Sequence, residues 1–242
     1  FHRYSVDEYW HVPHYEKMLY DQAQLALAFT EAWRISKDTL FRETAEDTLD
    51  YVITEMSDPG GGFHSAEDAD SLRKEGDKHK HEGAYWTWTA GEISSLLDPK
   101  SAAIFSLAYG VEAEGNARPE SDPHGDLKNQ NTLFRALATD KLAEKFSMSG
   151  EDIMKTLKAS REKLLAHRSK RPKPHRDDKI ITAWNGLMIA GLAKAAVVFS
   201  EDKYTDAAKA AANFIRENLW DAETKKLFRS YRGKRGDAPG FP

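Results

Sequence analysis

Apolar positions recur along this chain at helical spacing, and the helices they predict are of two alternating kinds. Tyr15, Met18, Leu19, Leu25, Phe29 and Trp33 fall near the helical period, with Leu27 and Ala28 adding apolar surface on a second face. The next segment carries Ala45, Leu49, Val52, Ile53 and Met56 on a single stripe. The contrast returns near the end. Residues 180–199 are apolar almost all round, broken mainly by Asn185 and Lys194. Tyr204, Ala207, Ala208, Ala211, Ile215 and Leu219 then form one stripe with charges opposite. Between these pairs, residues 89–109 predict one or two short helices, and Ile153, Met154, Leu157, Leu164 and Leu165 mark a longer one. A helix apolar on every face needs neighbours on every face, whereas a single stripe needs them on one side only. The alternation therefore predicts an all-α fold of concentric rings, an (α/α) toroid, rather than a bundle of similar helices.

A short repeat runs through this pattern. Phe1-His2-Arg3-Tyr4-Ser5, Phe63-His64-Ser65 and Phe228-Arg229-Ser230 each give an aromatic, a polar residue and a serine ahead of an expected inner helix. The repeat would bring His2, Arg3, His64 and Arg229 to one mouth of the ring, in a chain holding roughly three of six hairpins. Both ends read as cut: Phe1 opens inside a structured segment, and Gly240-Phe241-Pro242 stops where another element should begin. Residues 58–88, ending in the alternating Tyr85-Trp86-Thr87-Trp88, predict a β-hairpin excursion. Residues 110–135 predict a long irregular loop, a place where function often resides.

Composition narrows the functional classes. The 242 residues carry 35 Lys and Arg against 39 Asp and Glu, a net charge of -4, which speaks against a nucleic-acid surface. No run of about eighteen apolar residues without a charge predicts a membrane span. With no cysteine, thiol and disulfide chemistry are excluded within these residues, and an intracellular, cytoplasmic home is expected. No metal site is expected: Lys78-His79-Lys80-His81 reads as solvated loop, its lysines repelling cations. Arg168 to Arg176 reads as an exposed connector. Gly60-Gly61-Gly62 lacks the spacing and lysine of a phosphate loop, so no cofactor is called for.

Three clusters carry candidate chemistry. The first is His2, Arg3, Tyr4, Trp10, His14, Glu16, Lys17 and Asp21, with His14, Lys17 and Asp21 expected on one helical face. Aromatic platforms, planar donors and carboxylates of this kind suit a sugar site, and ordinary surface ion pairs are the competing reading. The second is Glu67, Asp68 and Asp70, with Glu82 nearby. Paired carboxylates serve glycoside hydrolysis, and the same residues serve equally as caps. The third is Asp177 or Asp178 as an N-cap, followed by Trp184 and Asn185 inside an apolar helix. Trp184 could stack on a sugar and Asn185 bond its hydroxyls, or both could be core residues.

These same motifs resemble a known family. The segment from Phe1 to Asp7 and Pro13-His14-Tyr15-Glu16-Lys17-Met18-Leu19-Tyr20-Asp21 look like the spermatogenesis-associated protein 20 family, whose bacterial relatives are thioredoxin domain-containing, YyaL-like proteins. Ser65 to Ser71, Glu82 to Thr89, Asp122-Pro123-His124-Gly125, Arg171 to His175 and Thr182 to Met188 match as well, so the resemblance covers nearly the whole chain. It implies a six-hairpin glycosidase-like toroid spanning residues 1–242 in part, similar to N-acylglucosamine 2-epimerases. It also implies a thioredoxin-like domain upstream, absent from this chain, as a partner. The expected function is carbohydrate processing on a small sugar ligand. His14 or His2 would move a proton, Arg3 and Lys17 would steady an enediolate, and Asp68 or Asp70 would take over in a hydrolase. Tyr4, Trp10, Glu16, Asp21, Glu67, Asp178, Trp184 and Asn185 would bind substrate. The alternative is a non-catalytic module that binds or presents substrates for the thioredoxin-like domain.

Overall fold

Left-handed caps and side-chain N-caps cut the chain into helices. Lys37 and Ser200 end two of them at φ 60° and 58°, and the carboxylate of Asp38 accepts the Leu40 N–H to start the next. The computed structural model describes residues 1–240. Phe241 and Pro242, with the element expected beyond them, lie outside the described residues. The helices are α1 (Leu19–Ser36), α2 (Thr39–Glu55), α3 (Ala90–Leu96), α4 (Pro99–Tyr109), α5 (Thr139–Phe146), α6 (Gly150–Arg168), α7 (Thr182–Phe199) and α8 (Asp202–Asn218). They divide between two compact units. The first comprises residues 1–3, 16–68 and 176 onward; the second comprises residues 4–15 and 69–175.

In the first unit α1 packs on α2, α7 on α8, and α1 on α7. One core joins the four: Leu19, Ala23 and Ala26 from α1, Leu49 and Val52 from α2, Met188 and Leu192 from α7, and Tyr204 and Ala211 from α8. Leu19, Leu49 and Leu192 are fully buried, and each contributes about 1.5–3 kcal/mol. Two hairpins touching through their apolar helices is the arrangement expected of toroid neighbours. The expectation that α7 is covered on all sides is met on one stripe only. Ala183, Gly186, Leu187, Ala190, Ala193 and Val197 are exposed on its other face. By length and mean hydropathy (1.4) α7 also passes for a membrane span even with Lys194 inside it; its place against α1 and α8 accounts for the apolarity of its buried stripe.

Short strands close each hairpin. Lys17–Met18 pairs with Ala66–Glu67 beneath α1 and α2, and Ile180–Ile181 pairs with Ser230–Arg232 beneath α7 and α8. The matching bonds are Leu19 N–H to the Ser65 carbonyl (2.9 Å) and Thr182 N–H to the Arg229 carbonyl (3.0 Å). Likewise His64 N–H reaches the Met56 carbonyl and Phe228 N–H the Leu219 carbonyl, each at 2.8 Å. The repeat is therefore real but shifted in its last copy: Leu227, not Phe228, stands where Phe63 stands. These strands also start α7, so Asp177 and Asp178 do not cap it. Asp177 lies in the strand Arg176–Asp177, and α7 begins after Ile181 with no side-chain cap.

The second unit packs α3 to α6 around Trp88, Ile93, Ile104, Phe105, Leu142 and Ile153, while Met154 and Leu165, which help mark α6 in the sequence, are exposed. The hairpin of the excursion is Asp70–Ser71 with His81–Glu82. Of Tyr85 to Trp88, expected as a strand, Tyr85 and Trp86 turn instead, while Trp88 keeps an antiparallel bridge to Asn131. The Arg171 guanidinium collects the carbonyls of Tyr85 (3.0 Å) and Thr87 (2.7 Å), reaches Glu92 (3.2 Å) and lies 4.0 Å from the Trp88 ring. Arg171 is thus an internal strut rather than part of an exposed connector. The long loop is pinned in the same manner by the buried Asn131, which bonds the backbone of Trp88 and Glu112.

Candidate functional site

The first unit gathers much of the expected constellation at its strands. Lys17–Met18, Ala66–Glu67 and Arg176–Asp177 form one three-stranded sheet, with Lys17 opposite Glu67 and Glu67 opposite Arg176. Lys17 and Glu67 are buried; Glu67 accepts a short hydrogen bond from the Tyr51 hydroxyl, and Lys17 Nζ lies 5.0 Å from the Tyr51 ring. Arg3 is exposed and holds Glu16 at 2.8 Å. Asp21, in the first turn of α1, has a buried Oδ2 with no hydrogen-bond partner among the described residues. Burial raises its pKa against the opposing pull of Arg3. Asp178 is exposed, paired with Arg232 at 2.5 Å. Asp68 and the half-buried His2 also belong to this unit.

One expected substrate contact is overturned here. Asn185 is fully buried and spent on backbone: it accepts the Phe63 N–H (2.8 Å) and donates to the carbonyls of Phe63 (3.0 Å) and Ile181 (3.0 Å). No hydrogen-bonding capacity is left pointing at solvent. Gln22 does the same one copy earlier, accepting from Phe1 N (2.7 Å) and donating to the Phe1 carbonyl (2.8 Å). Trp184 is partly buried, meets Tyr20 edge-on at 4.9 Å, and borders a groove of about 480 Å³ with Arg229 and Leu227.

The helical face expected for His14, Lys17 and Asp21 does not exist. His14 lies in the strand Pro13–His14, Lys17 in the next strand, and α1 begins at Leu19. His14 belongs to the second unit, where Tyr4–Ser5 pairs with Pro13–His14. Its Nδ1 lies 2.7 Å from Glu82 Oε1, and that carboxylate also accepts the Tyr15 N–H at 3.1 Å. The Tyr4 ring stacks on the imidazole at 4.9 Å. A carboxylate can only accept, so Nδ1 carries the proton and Nε2 is the basic nitrogen of neutral His14. These residues border a cleft of about 330 Å³ with Glu120, Asp122, His124 and Asp126.

A second pair stands beside the first. His81 Nδ1 lies 2.7 Å from Asp126 Oδ1, and Arg73 donates a short bond to the Asp126 carbonyl. Asp70 faces Glu82 across the hairpin. The neighbouring loop is built on Asp7, whose carboxylate accepts the N–H groups of Tyr9 (2.9 Å), His11 (3.1 Å) and Val12 (2.9 Å). Burial works against the charge, but those N–H donors and the Ser121 hydroxyl hold the Asp7 pKa below its ordinary value. Trp10 projects from this loop, 85% exposed at φ 57°.

The chemistry expected of His14 together with Arg3 and Lys17 thus falls on different units, as does the pair Asp68 and Asp70. Glu82 is the partner that matters to His14, and its motif gave a hint. His81 and Asp126 gave none: a histidine at the end of the Lys78-His79-Lys80 run looks solvated until the chain brings Asp126 to it. Among the described residues no group of His, Cys, Asp or Glu is placed to hold a metal ion.

Paired helices closed by short strands define a helical-hairpin protein with a histidine–carboxylate cleft. No family model matches the chain. It is 41% identical over 246 residues to human spermatogenesis-associated protein 20, covering 98% of this chain and 31% of that protein. It is 39% identical over 246 residues to the rat protein of that name, with 98% and 31% covered. It is also 40% identical over 251 residues to the uncharacterized protein B0495.5 of Caenorhabditis elegans, with 98% and 33% covered. The chain belongs to the spermatogenesis-associated protein 20 family and spans about a third of the length of these curated relatives. Among solved structures, cellobiose 2-epimerase from Bacillus thermoamylovorans is 10% identical at a TM-score of 0.26, over 93% of this chain and 67% of its own. D-Mannose isomerase is 13% identical at 0.27, over 94% and 48%. Likenesses this slight carry no weight beside the chain's own geometry.

Proposed function

We propose that this segment processes carbohydrate, with the His14–Glu82 dyad as its acid/base group. The observation that carries the reading is the 2.7 Å contact between His14 Nδ1 and Glu82, set on a cleft with the Tyr4 ring stacked on the imidazole. A carboxylate at Nδ1 orients the ring and stabilises the imidazolium formed when Nε2 takes a proton. A proton on the carbon beside a sugar carbonyl is acidic enough to be that proton, and its removal and return would isomerise or epimerise the sugar. The tyrosine ring and the carboxylates suit the faces and hydroxyls of such a substrate.

A second reading, glycoside hydrolysis, is favoured by the charge of the cleft. Glu82, Glu120, Asp122 and Asp126 border it, and among the described residues no Lys or Arg does. That surround disfavours an enediolate anion and favours an oxocarbenium-like cation. The test is thermal unfolding of the full-length protein against a panel of mono- and disaccharides. A stabilising sugar whose shift is lost in His14→Ala supports the site. Absence of any shift across the panel returns the segment to the role of a binding module beside a thioredoxin-like domain.

A further inference from the structure

Glu82 is held by more than its own hairpin. Its strand pairs only two residues, His81–Glu82 with Asp70–Ser71, and a charged loop of residues 72–80 joins them. A two-stranded ladder this short does not by itself fix a side chain. Yet the Glu82 carboxylate meets two donors at once, His14 Nδ1 at 2.7 Å and the Tyr15 N–H at 3.1 Å. Its place is set from outside the hairpin.

Asp126 supplies the grip. Its Oδ1 lies 2.7 Å from His81 Nδ1, and its Oδ2 accepts the Glu82 N–H at 3.4 Å. A carboxylate can only accept, so His81 Nδ1 carries the proton. One side chain thereby holds two successive residues of the strand, the first by its ring and the second by its backbone. Asp126 is tethered in turn. Arg73 donates to its carbonyl, and Leu127, the next residue, is buried in a core with Val12 and Tyr15. Gly83 adds a second constraint: its N–H bonds the Ala69 carbonyl at 3.1 Å, and a Cβ there would stand 2.6 Å from the Tyr15 ring. Close packing at Gly83 and the grip of Asp126 together fix where the Glu82 backbone stands.

The His81–Asp126 pair adds little as a stability device, because the two side chains are 35% and 24% exposed and ion pairs in that setting contribute little. We infer that these two residues position the catalytic dyad: His81 holds Asp126, Asp126 holds the Glu82 backbone, and Glu82 holds the His14 ring so that Nε2 is presented as the base. The inference rests on the reading of His14 and Glu82 as the acid/base group. Asp126 borders the cleft beside Glu82, whereas His81 is not among the described residues that border it. His81 is therefore the place where positioning can be separated from sugar binding.

The test compares His81→Ala with His81→Asn in the full-length protein, using the sugar that stabilises it. The asparagine amide can offer an N–H where Nδ1 offers one, and alanine cannot. Proton exchange from sugar carbon into D2O is followed at saturating sugar, and affinity is taken from the same titration. Misplacing a catalytic group by about 1 Å costs about 100-fold, so His81→Ala should slow exchange by roughly 10- to 100-fold. Sugar affinity should hold, and His81→Asn should recover most of the rate. An unchanged rate in His81→Ala, a loss confined to affinity, or equal losses in the two variants overturns the inference. Hydrogen exchange at the Tyr15 amide, which Glu82 accepts, gives a readout that needs no sugar. Its protection should fall in His81→Ala and return in His81→Asn; protection unchanged in His81→Ala also overturns the inference. A wild type that moves no proton sinks the catalytic reading instead, and the Tyr15 amide then still decides whether His81 and Asp126 hold Glu82.

Discussion

Replacing Asn185 by alanine separates the two roles its position suggested. The side chain is fully buried and makes three hydrogen bonds, one from the Phe63 N–H and two to the carbonyls of Phe63 and Ile181. Truncation strands a buried N–H beside Phe63, which is 1% exposed. Each orphaned group costs about 1–3 kcal/mol, and the small void adds to it, so the loss should be about 2–4 kcal/mol. Asn185→Asp keeps the acceptor but removes both donors and buries a charge, and should cost at least as much. Hydrogen exchange at the Phe63 amide in the full-length protein reads this locally. Its protection should fall roughly 100-fold, the equivalent of about 3 kcal/mol. An unchanged Phe63 amide, with a sugar-induced stabilisation lost, would refute the clamp and restore Asn185 as a substrate contact.

Three further substitutions test the frame. Gly83→Ala places a Cβ 2.6 Å from the Tyr15 ring at φ 70° and should lower the unfolding free energy by about 1–3 kcal/mol in urea unfolding. Arg171→Lys keeps a charge but loses the fork shared by Tyr85 and Thr87 and the stack on Trp88, costing roughly 2–3 kcal/mol in the same assay. Asp7→Ala removes an acceptor of three N–H groups and should cost about 1–2 kcal/mol at neutral pH. Because folding lowers the Asp7 pKa, its contribution is present above the unfolded value and is lost as pH falls through the folded one. Wild type and variant should therefore converge in acid, and a gap that persists there would contradict the assignment.

How far the sequence could be read depended on whether a signal was local. Helix positions follow from apolar spacing, so α1, α2, α7 and α8 are legible, including the difference between an all-apolar helix and a striped one. The start of α1 was not: spacing alone extends the helix back through His14, whereas pairing with Tyr4 and with Glu67 draws residues 13–14 and 17–18 into strands. The third repeat copy misled for a related reason. Aromatic identity aligned Phe228 with Phe63, while backbone bonding aligns Leu227. Polar residues divided by partner. Asn185 and Arg171 look functional or solvated in sequence because the carbonyls they satisfy lie far along the chain. His14 kept its candidacy because Glu82 reaches it from a distant motif.

The catalytic reading rests on His14 moving a proton, and solvent isotope exchange measures that step directly. Full-length protein is incubated in D2O with the sugar that stabilises it, and deuterium at the carbon beside the carbonyl is followed by NMR. The account predicts exchange in the wild type, its loss in His14→Gln, and a marked fall in Glu82→Gln, whose amide cannot stabilise the imidazolium. Exchange that survives in His14→Gln, or a stabilising sugar that neither exchanges nor is cleaved, would contradict it.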